Sequence, residues 1–154
     1  MIEKILDQAK PELGLILYGG MLNGVWEFLH SPLYMDHDSG WFYVLWTRVH
    51  CTVGDVLILL FTFWGTSLLF GYRGWIERFE FRPMTVFTIS GLSYTIYSEW
   101  YNVYVRKSWS YTDSMPEVFG IGLTPIFQWI VIPPLVGVII WYLFGQNKRE
   151  VEVR

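Results

Sequence analysis

The sequence predicts an all-α membrane protein, with four transmembrane helices in a bundle and an amphipathic helix before them. Hydrophobic residues make up 53% of the chain and charged residues only 16%, against roughly 25% charged residues in soluble domains. This composition favours the membrane class. The 154 residues leave room for a single domain. The net charge of −3, without any basic stripe, argues against a nucleic-acid partner.

The predicted helices account for most of the chain. Residues 1–10 place apolar and charged side chains on opposite faces, which predicts an interfacial helix that Pro11 ends. The four spans are expected at about 13–30, 50–71, 83–102 and 123–144. Residues 146–154 are rich in charge and are expected to form a solvent-exposed tail.

Prolines mark the starts of the last two spans. Pro83 suits the first turn of the third helix, and Thr124 and Pro125 suit the cap and first residue of the fourth. Pro133 and Pro134 predict a kink midway along that fourth helix, because proline cannot donate the backbone hydrogen bond of a helix interior.

The distribution of positive charge predicts that both termini lie in the cytoplasm. Eight lysines and arginines fall on the side that carries the termini and the second connection, and three fall on the other side. The eight are Lys4, Lys10, Arg73, Arg78, Arg82, Lys148, Arg149 and Arg154, and the three are Arg48, Arg106 and Lys107. The aromatic run at 41–46 is typical of an interfacial belt on the outer side.

Polar and ionisable side chains gather in the outer halves of the spans. Asn23, Glu27 and His30 share one helix face at i, i+4 and i+7. Ionisable groups at membrane depth cost about 3 kcal/mol each on insertion scales, so they need a partner or a purpose. The predicted pocket consists of Glu27, His30, His50, Asp55 and Glu99, with Asn23, Trp26, Tyr34, Cys51, Trp100, Tyr101, Asn102 and Gln128 around it.

The first interpretation of this pocket is a metal site. Two imidazoles and three carboxylates could hold a divalent transition metal, namely zinc, iron, copper or manganese. Glu27 and His30 have the i, i+3 spacing found in di-metal helix bundles. The third helix offers Glu99 and Asn102 instead, which argues against a symmetrical di-metal centre.

Two other interpretations stay open beside the metal site. In an accessory subunit of a larger membrane complex or a homo-oligomer, Glu27 and Asp55 would pair with Arg48 or Arg106 and fix helix packing. In a membrane enzyme, the pocket would act on a lipid-like substrate at the outer leaflet. A proton or solute pathway is disfavoured, because the cytoplasmic halves of the spans are almost purely apolar.

Several short strings carry a resemblance to other membrane proteins. They are WEF and SPLY within 26–34, HCTVGD at 50–55, EWYN at 99–102, SWSY and MP within 108–116, and GLTPIFQW at 122–129. Together they resemble a group of small four-span integral membrane proteins of bacteria, over about 23–134 of this chain. The resemblance implies no activity, but it implies a bacterial inner membrane as the location.

Overall fold

The computed structural model describes residues 9–145 and shows a mostly helical protein with five helices in that range. Helix α1 comprises residues 9–30, with a π-helical turn at Leu15–Gly19, and α2 is Trp41–Phe70. The short helix α3 is Trp75–Arg78. Helices α4 (Phe81–Trp100) and α5 (Leu123–Ile140) are each extended by a π-helical turn, at Tyr101–Val105 and Trp141–Gly145 respectively. The connections contain the 3-10 turns Ser31–Leu33 and Met35–Asp38 and a hairpin of β1 (Glu117–Val118) and β2 (Ile121–Gly122).

The four long helices form a bundle. Helix α1 packs against α2 and α5, and α4 also packs against α2 and α5. Because neighbouring helices run in opposite directions, the end of α1, the start of α2, the end of α4 and the start of α5 meet at one end of the bundle. This is the end that the sequence assigns to the outer side of the membrane.

The apolar core fills the opposite end of the bundle. The ring of Trp75 lies 5.5 Å from that of Phe63 on α2 and 5.5 Å from that of Phe87 on α4. Its indole nitrogen donates a hydrogen bond of 3.0 Å to the hydroxyl of Ser67. The fully buried Trp75 therefore anchors the short helix α3 beneath the bundle.

Two helices are long and apolar enough to cross a membrane. The most apolar 18-residue windows have mean hydropathies of 1.8 within Trp41–Phe70 and 2.0 within Leu123–Gly145. Only 28% and 39% of these windows are buried, whereas the core helix of a soluble protein would be mostly buried. This observation weakly supports a membrane protein, and the four-span arrangement stays a prediction.

The helix bounds differ from the expected ones at three places. Helix α2 begins at Trp41 rather than near residue 50, so the aromatic run forms its first turns. With about 1.5 Å of rise per residue, its 30 residues reach beyond a hydrocarbon layer of about 30 Å. Helix α1 runs through Pro11 instead of starting after it. Helix α5 begins at Leu123 with Gly122 as its N-cap, so Thr124 is free to contact other groups.

The predicted prolines lie within helices, and the two predicted terminal segments fall mostly outside the described residues. Pro83 does lie in the first turn of α4, and α5 continues through Pro133 and Pro134 to Ile140. Most of the predicted interfacial helix and the whole tail fall at residues 1–8 and 146–154, outside the described residues.

The contact between α4 and α5 gives a first testable prediction. A Cβ added at Gly91 would overlap the indole ring of Trp129, which is itself 1% exposed and cannot move aside easily. We expect Gly91→Ala to destabilise the bundle by about 1–3 kcal/mol, the usual cost of overpacking a filled core. Unfolding in mild detergent, followed by circular dichroism, measures this change.

Gly65→Ala is the matched control, because a Cβ at Gly65 meets no atom within 4 Å. Alanine is favoured over glycine in a helix by about 1 kcal/mol. Gly65→Ala should therefore leave the stability unchanged or raise it. Equal losses in the two variants would contradict the packing described for Gly91.

Candidate functional site

Two connections form a roof over the outer end of the bundle. Residues 31–38 and 106–122 pair through an antiparallel bridge between Tyr34 and Tyr111. The amide of Met35 donates to the carbonyl of Ser110 at 3.0 Å, and the amide of Thr112 donates to the carbonyl of Leu33 at 2.9 Å. These bonds hold buried Tyr34 against the polar side chains of the helix ends.

Arg48 of α2 lies at the centre of this polar cluster and is only 4% exposed. Its guanidinium donates to both carboxylate oxygens of Asp36 in the roof, at 2.6 and 2.5 Å. It also lies 3.7 Å from a carboxylate oxygen of Glu27 on α1 and 5.2 Å from the ring centroid of Tyr34. One buried cation thus joins two helices to the roof.

His30 links α1 to α5. Its Nε2 lies 3.2 Å from Oε1 of Glu27, and its Nδ1 lies 3.3 Å from the hydroxyl of Thr124. The imidazole also contacts the ring of Tyr34 edge-on, at 5.2 Å between centroids. Glu27 and His30 therefore form an adjacent acid–base pair, as their spacing predicts.

Glu99 of α4 is buried and faces the roof. Its Oε2 accepts hydrogen bonds from the phenol of Tyr111 at 2.5 Å and from the indole of Trp109 at 3.4 Å. Burial, and then the nearby carboxylate of Glu99, raise the pKa of Tyr111 and of Tyr34 well above the ordinary phenol value of 10.0. Both phenols therefore stay protonated at neutral pH, so Tyr111 remains a donor to Glu99.

A network of side-chain hydrogen bonds connects α1, α2 and α5. The side-chain nitrogen of Gln128 donates to Oδ1 of Asn23 at 2.8 Å and to Oδ2 of Asp55 at 2.9 Å. Asn23 in turn donates to the carbonyl of Gly19 at 2.8 Å. Asn23, Asp55 and Gln128, all predicted for the site, are thus joined by hydrogen bonds.

A cavity of about 1040 Å³ lies beside these groups, between α2 and α4. All five residues of the predicted pocket, Glu27, His30, His50, Asp55 and Glu99, line it. Tyr34, Cys51, Asn102 and Gln128, from the predicted surroundings, line it as well. The cavity also continues along both helices towards Leu69 and Val86, where apolar side chains, glycine and the hydroxyls of Thr62, Thr66 and Ser90 line it.

Some predicted residues lie apart from the cluster. His50 is exposed at the cavity mouth, where its ring stacks on Trp46 at 6.4 Å. Trp100 and Tyr101 are exposed and pack against Tyr97 on the outer surface of α4. Each residue turns a helix by about 100°, so these two neighbours of Glu99 point away from the cavity. Trp26 is half-buried and does not line the cavity.

The predicted metal ligands do not come together in one group within the described part of the chain. Among residues 9–145, no three histidine, cysteine, aspartate or glutamate side chains come together in a group that could hold a metal ion. The reason lies in their other contacts: Glu27 pairs with His30 and Arg48, and Glu99 accepts from Tyr111. The metal therefore stays a prediction made from residue types alone.

Several residues of the polar cluster are absent from the pocket that the sequence predicts. Arg48 lies seven residues before Asp55, and this i, i+7 spacing on a helix could have placed both on one face. Asp36, Trp109 and Tyr111 lie in connections, where no periodic pattern indicates a partner. Their places depend on how the two connections pair.

Comparisons with known proteins add no relationship. No protein-family model, no curated protein and no solved structure matches this chain. The geometry of the residues described above is therefore the basis on which a function can be inferred.

Removing Arg48 should strongly destabilise the outer end of the bundle. Arg48→Met leaves the buried carboxylate of Glu27 and the partly buried carboxylate of Asp36 without their cation. Breaking a buried ion pair by removing one partner costs about 3–5 kcal/mol. Unfolding in detergent measures the loss, and Glu27→Gln introduced beside Arg48→Met should recover part of it.

Arg106→Met is the control for this prediction. Arg106 also lines the cavity, but it is exposed, and no salt bridge of the described residues involves it. We expect its loss to change stability little. Similar stabilities of the two variants would refute the central role of Arg48.

Proposed function

We propose that the protein is a four-span protein of a bacterial inner membrane that binds a ligand in a pocket facing the periplasm. Beside the two apolar helices, α1 supports this proposal through its exposed face. Leu17, Met21 and Val25 lie at i, i+4 and i+8 and are 55%, 62% and 59% exposed. Such a stripe suits contact with lipid rather than with water.

The orientation follows from charge. Arg73, Arg78 and Arg82 lie around α3, at the end of the bundle opposite the roof. Cytoplasmic loops of membrane proteins carry an excess of lysine and arginine. We therefore assign α3 to the cytoplasm and the roof, with the polar cluster beneath it, to the periplasmic side.

The observation that carries the binding function is the cavity itself. Its volume of about 1040 Å³ is at the upper end of the roughly 300–1,000 Å³ typical of small-molecule sites. The carboxylate, arginine and histidine side chains that line it all lie near the outer end: Glu27, His30, Asp36, Arg48, His50, Asp55, Glu99 and Arg106. The cytoplasmic end is lined by apolar side chains, glycine and hydroxyl groups, which favours binding over conduction of ions.

The polar cluster is suited to hold the polar part of a ligand. Both described hydrogen bonds to Glu99 reach one oxygen, Oε2, so Oε1 of Glu99 can accept a further hydrogen bond. Asp55 accepts from Gln128 at Oδ2 and also interacts with the indole of Trp129. Arg106 adds an exposed cation at the same cavity.

The proposed orientation is tested by cysteine labelling in intact cells. Cys51 is the single cysteine, so Cys51→Ser gives a background without thiols. In that background, His50→Cys should react with a membrane-impermeant maleimide from outside, because His50 is exposed at the cavity mouth. Tyr72→Cys, beside α3, should react only after the cells are permeabilised. Reversed accessibility of the two sites would overturn the orientation.

The bound molecule is tested by native mass spectrometry of protein purified in mild detergent. We expect the wild type to carry a molecule that is retained about tenfold less by Asp55→Asn combined with Glu99→Gln, which corresponds to about 1.4 kcal/mol. The control is Asp38→Asn, an exposed carboxylate that does not line the cavity.

Elemental analysis of the same samples tests the metal separately. Stoichiometric metal that is lost in Glu27→Gln would support the metal-bound form of the pocket. A wild-type protein that carries neither a bound molecule nor a metal would contradict the proposed function.

A further inference from the structure

Resting on the proposed membrane pocket, we propose that its ligand is a zwitterionic phospholipid with a primary ammonium group. One hydrocarbon chain of this lipid lies in the groove between α2 and α4, which continues the pocket towards the cytoplasm. Its head group lies at the outer end, among the ionisable side chains. The lipid enters sideways from the bilayer.

The groove is formed by two facing stripes of side chains. On α2 the lining residues recur every three or four positions from Thr47 to Leu69, and on α4 they recur every four positions from Val86 to Asn102. Both spacings follow one face of a helix. With a rise of about 1.5 Å per residue, the stripe on α2 is about 33 Å long. This length accommodates a head group at the outer end and a hydrocarbon chain that spans one leaflet, about half of the roughly 30 Å hydrocarbon layer.

Glycines keep the groove open. Gly54 and Gly65 both line it, and a Cβ added at either position meets no atom within 4 Å. They are eleven residues apart and lie on the same side of α2, three helical turns from each other. At Gly19 and Gly91, by contrast, an added Cβ overlaps a neighbouring side chain. The groove is therefore open where α2 presents glycine, whereas other helix contacts are closely packed.

Most of the groove wall below the polar cluster is apolar, and the hydroxyls of Thr66 and Thr95, which also line the cavity, have no hydrogen-bond partner among the described residues. Leu57, Ile58 and Phe61 line the groove below the polar cluster. The hydroxyl of Thr62 donates to the carbonyl of Ile58 at 2.6 Å within its own helix, so that polar group is already satisfied. An apolar chain in this groove would gain contacts on walls that otherwise face open space.

Charge complementarity decides the head group. Four carboxylates and two arginines line the outer end of the cavity. Arg48 already pairs with two of those carboxylates, Glu27 and Asp36. Among the described residues, no salt bridge involves Asp55, Glu99 or Arg106. An ammonium group suits Asp55 and Glu99, and a phosphate suits the guanidinium of Arg106.

The groove is tested by filling it. Gly65→Trp places an indole in the groove, and tryptophan is favoured over glycine in a helix. Leu68→Trp is the matched control, because Leu68 is three residues away, 84% exposed and outside the lining. The proteins are incubated with vesicles of equal parts phosphatidylethanolamine and phosphatidylglycerol, extracted in mild detergent and examined by native mass spectrometry.

We expect wild type and Leu68→Trp to retain one phosphatidylethanolamine, and Gly65→Trp to retain at least about tenfold less. Gly54→Leu serves as a second filling variant if Gly65→Trp does not fold. Asp55→Asn combined with Glu99→Gln should abolish the preference for phosphatidylethanolamine over phosphatidylglycerol. Preference for phosphatidylglycerol in the wild type, or equal lipid retention by the filled and control variants, would overturn the proposal.

Other outcomes separate this proposal from the proposed function. A water-soluble molecule that remains bound in Gly65→Trp would refute the lipid but leave the outward-facing binding pocket standing. A wild-type protein that retains no molecule at all would refute both.

Discussion

Arg48 carries a buried guanidinium that carboxylates from two other parts of the chain neutralise. Asp36 of the roof binds it with both carboxylate oxygens, Glu27 of α1 lies 3.7 Å away, and the ring of Tyr34 covers it. A buried charge without these partners would be strongly destabilising. The end of α1, the start of α2 and the first connection are therefore held together at one point. The bridge from Tyr34 to Tyr111 extends this constraint to the second connection, which brings a phenol onto Glu99 of α4.

The two ends of the bundle follow different physical rules. At the end beneath α3, Trp75 fills the space between Phe63 and Phe87, and shape complementarity decides the packing. At the roofed end, hydrogen bonds and ion pairs decide the arrangement, because each buried polar group needs a partner. The groove between α2 and α4 runs from the polar end towards the apolar one. It is the place where α2 presents Gly54 and Gly65 rather than larger side chains. A lipid, with a polar head group and an apolar chain, matches this change from polar to apolar lining along the groove.

Much of the candidate site could be predicted from single helices. Asn23, Glu27 and His30 share a face because of the helical period, and the structure does bring Glu27 next to His30. The same reasoning failed at the helix ends. Helix α2 begins at Trp41 rather than near residue 50, so the aromatic run at 41–46 forms its first turns, and the interfacial belt stays a prediction. Trp100 was grouped with Glu99 because they are adjacent in sequence, yet adjacent residues of a helix point about 100° apart.

The sequence by itself determined that the chain is mostly helical, and it determined that the ionisable groups within the predicted spans lie towards one end of the bundle. These properties depend on local composition and on the helical period, which short windows of sequence contain. Only the tertiary structure decided which partner each group has. The roof depends on a hydrogen bond between Thr112 and Leu33, 79 residues apart, and Gln128 reaches Asn23 across 105 residues. No local pattern specifies such pairs, because they form only when the connections fold back over a packed bundle.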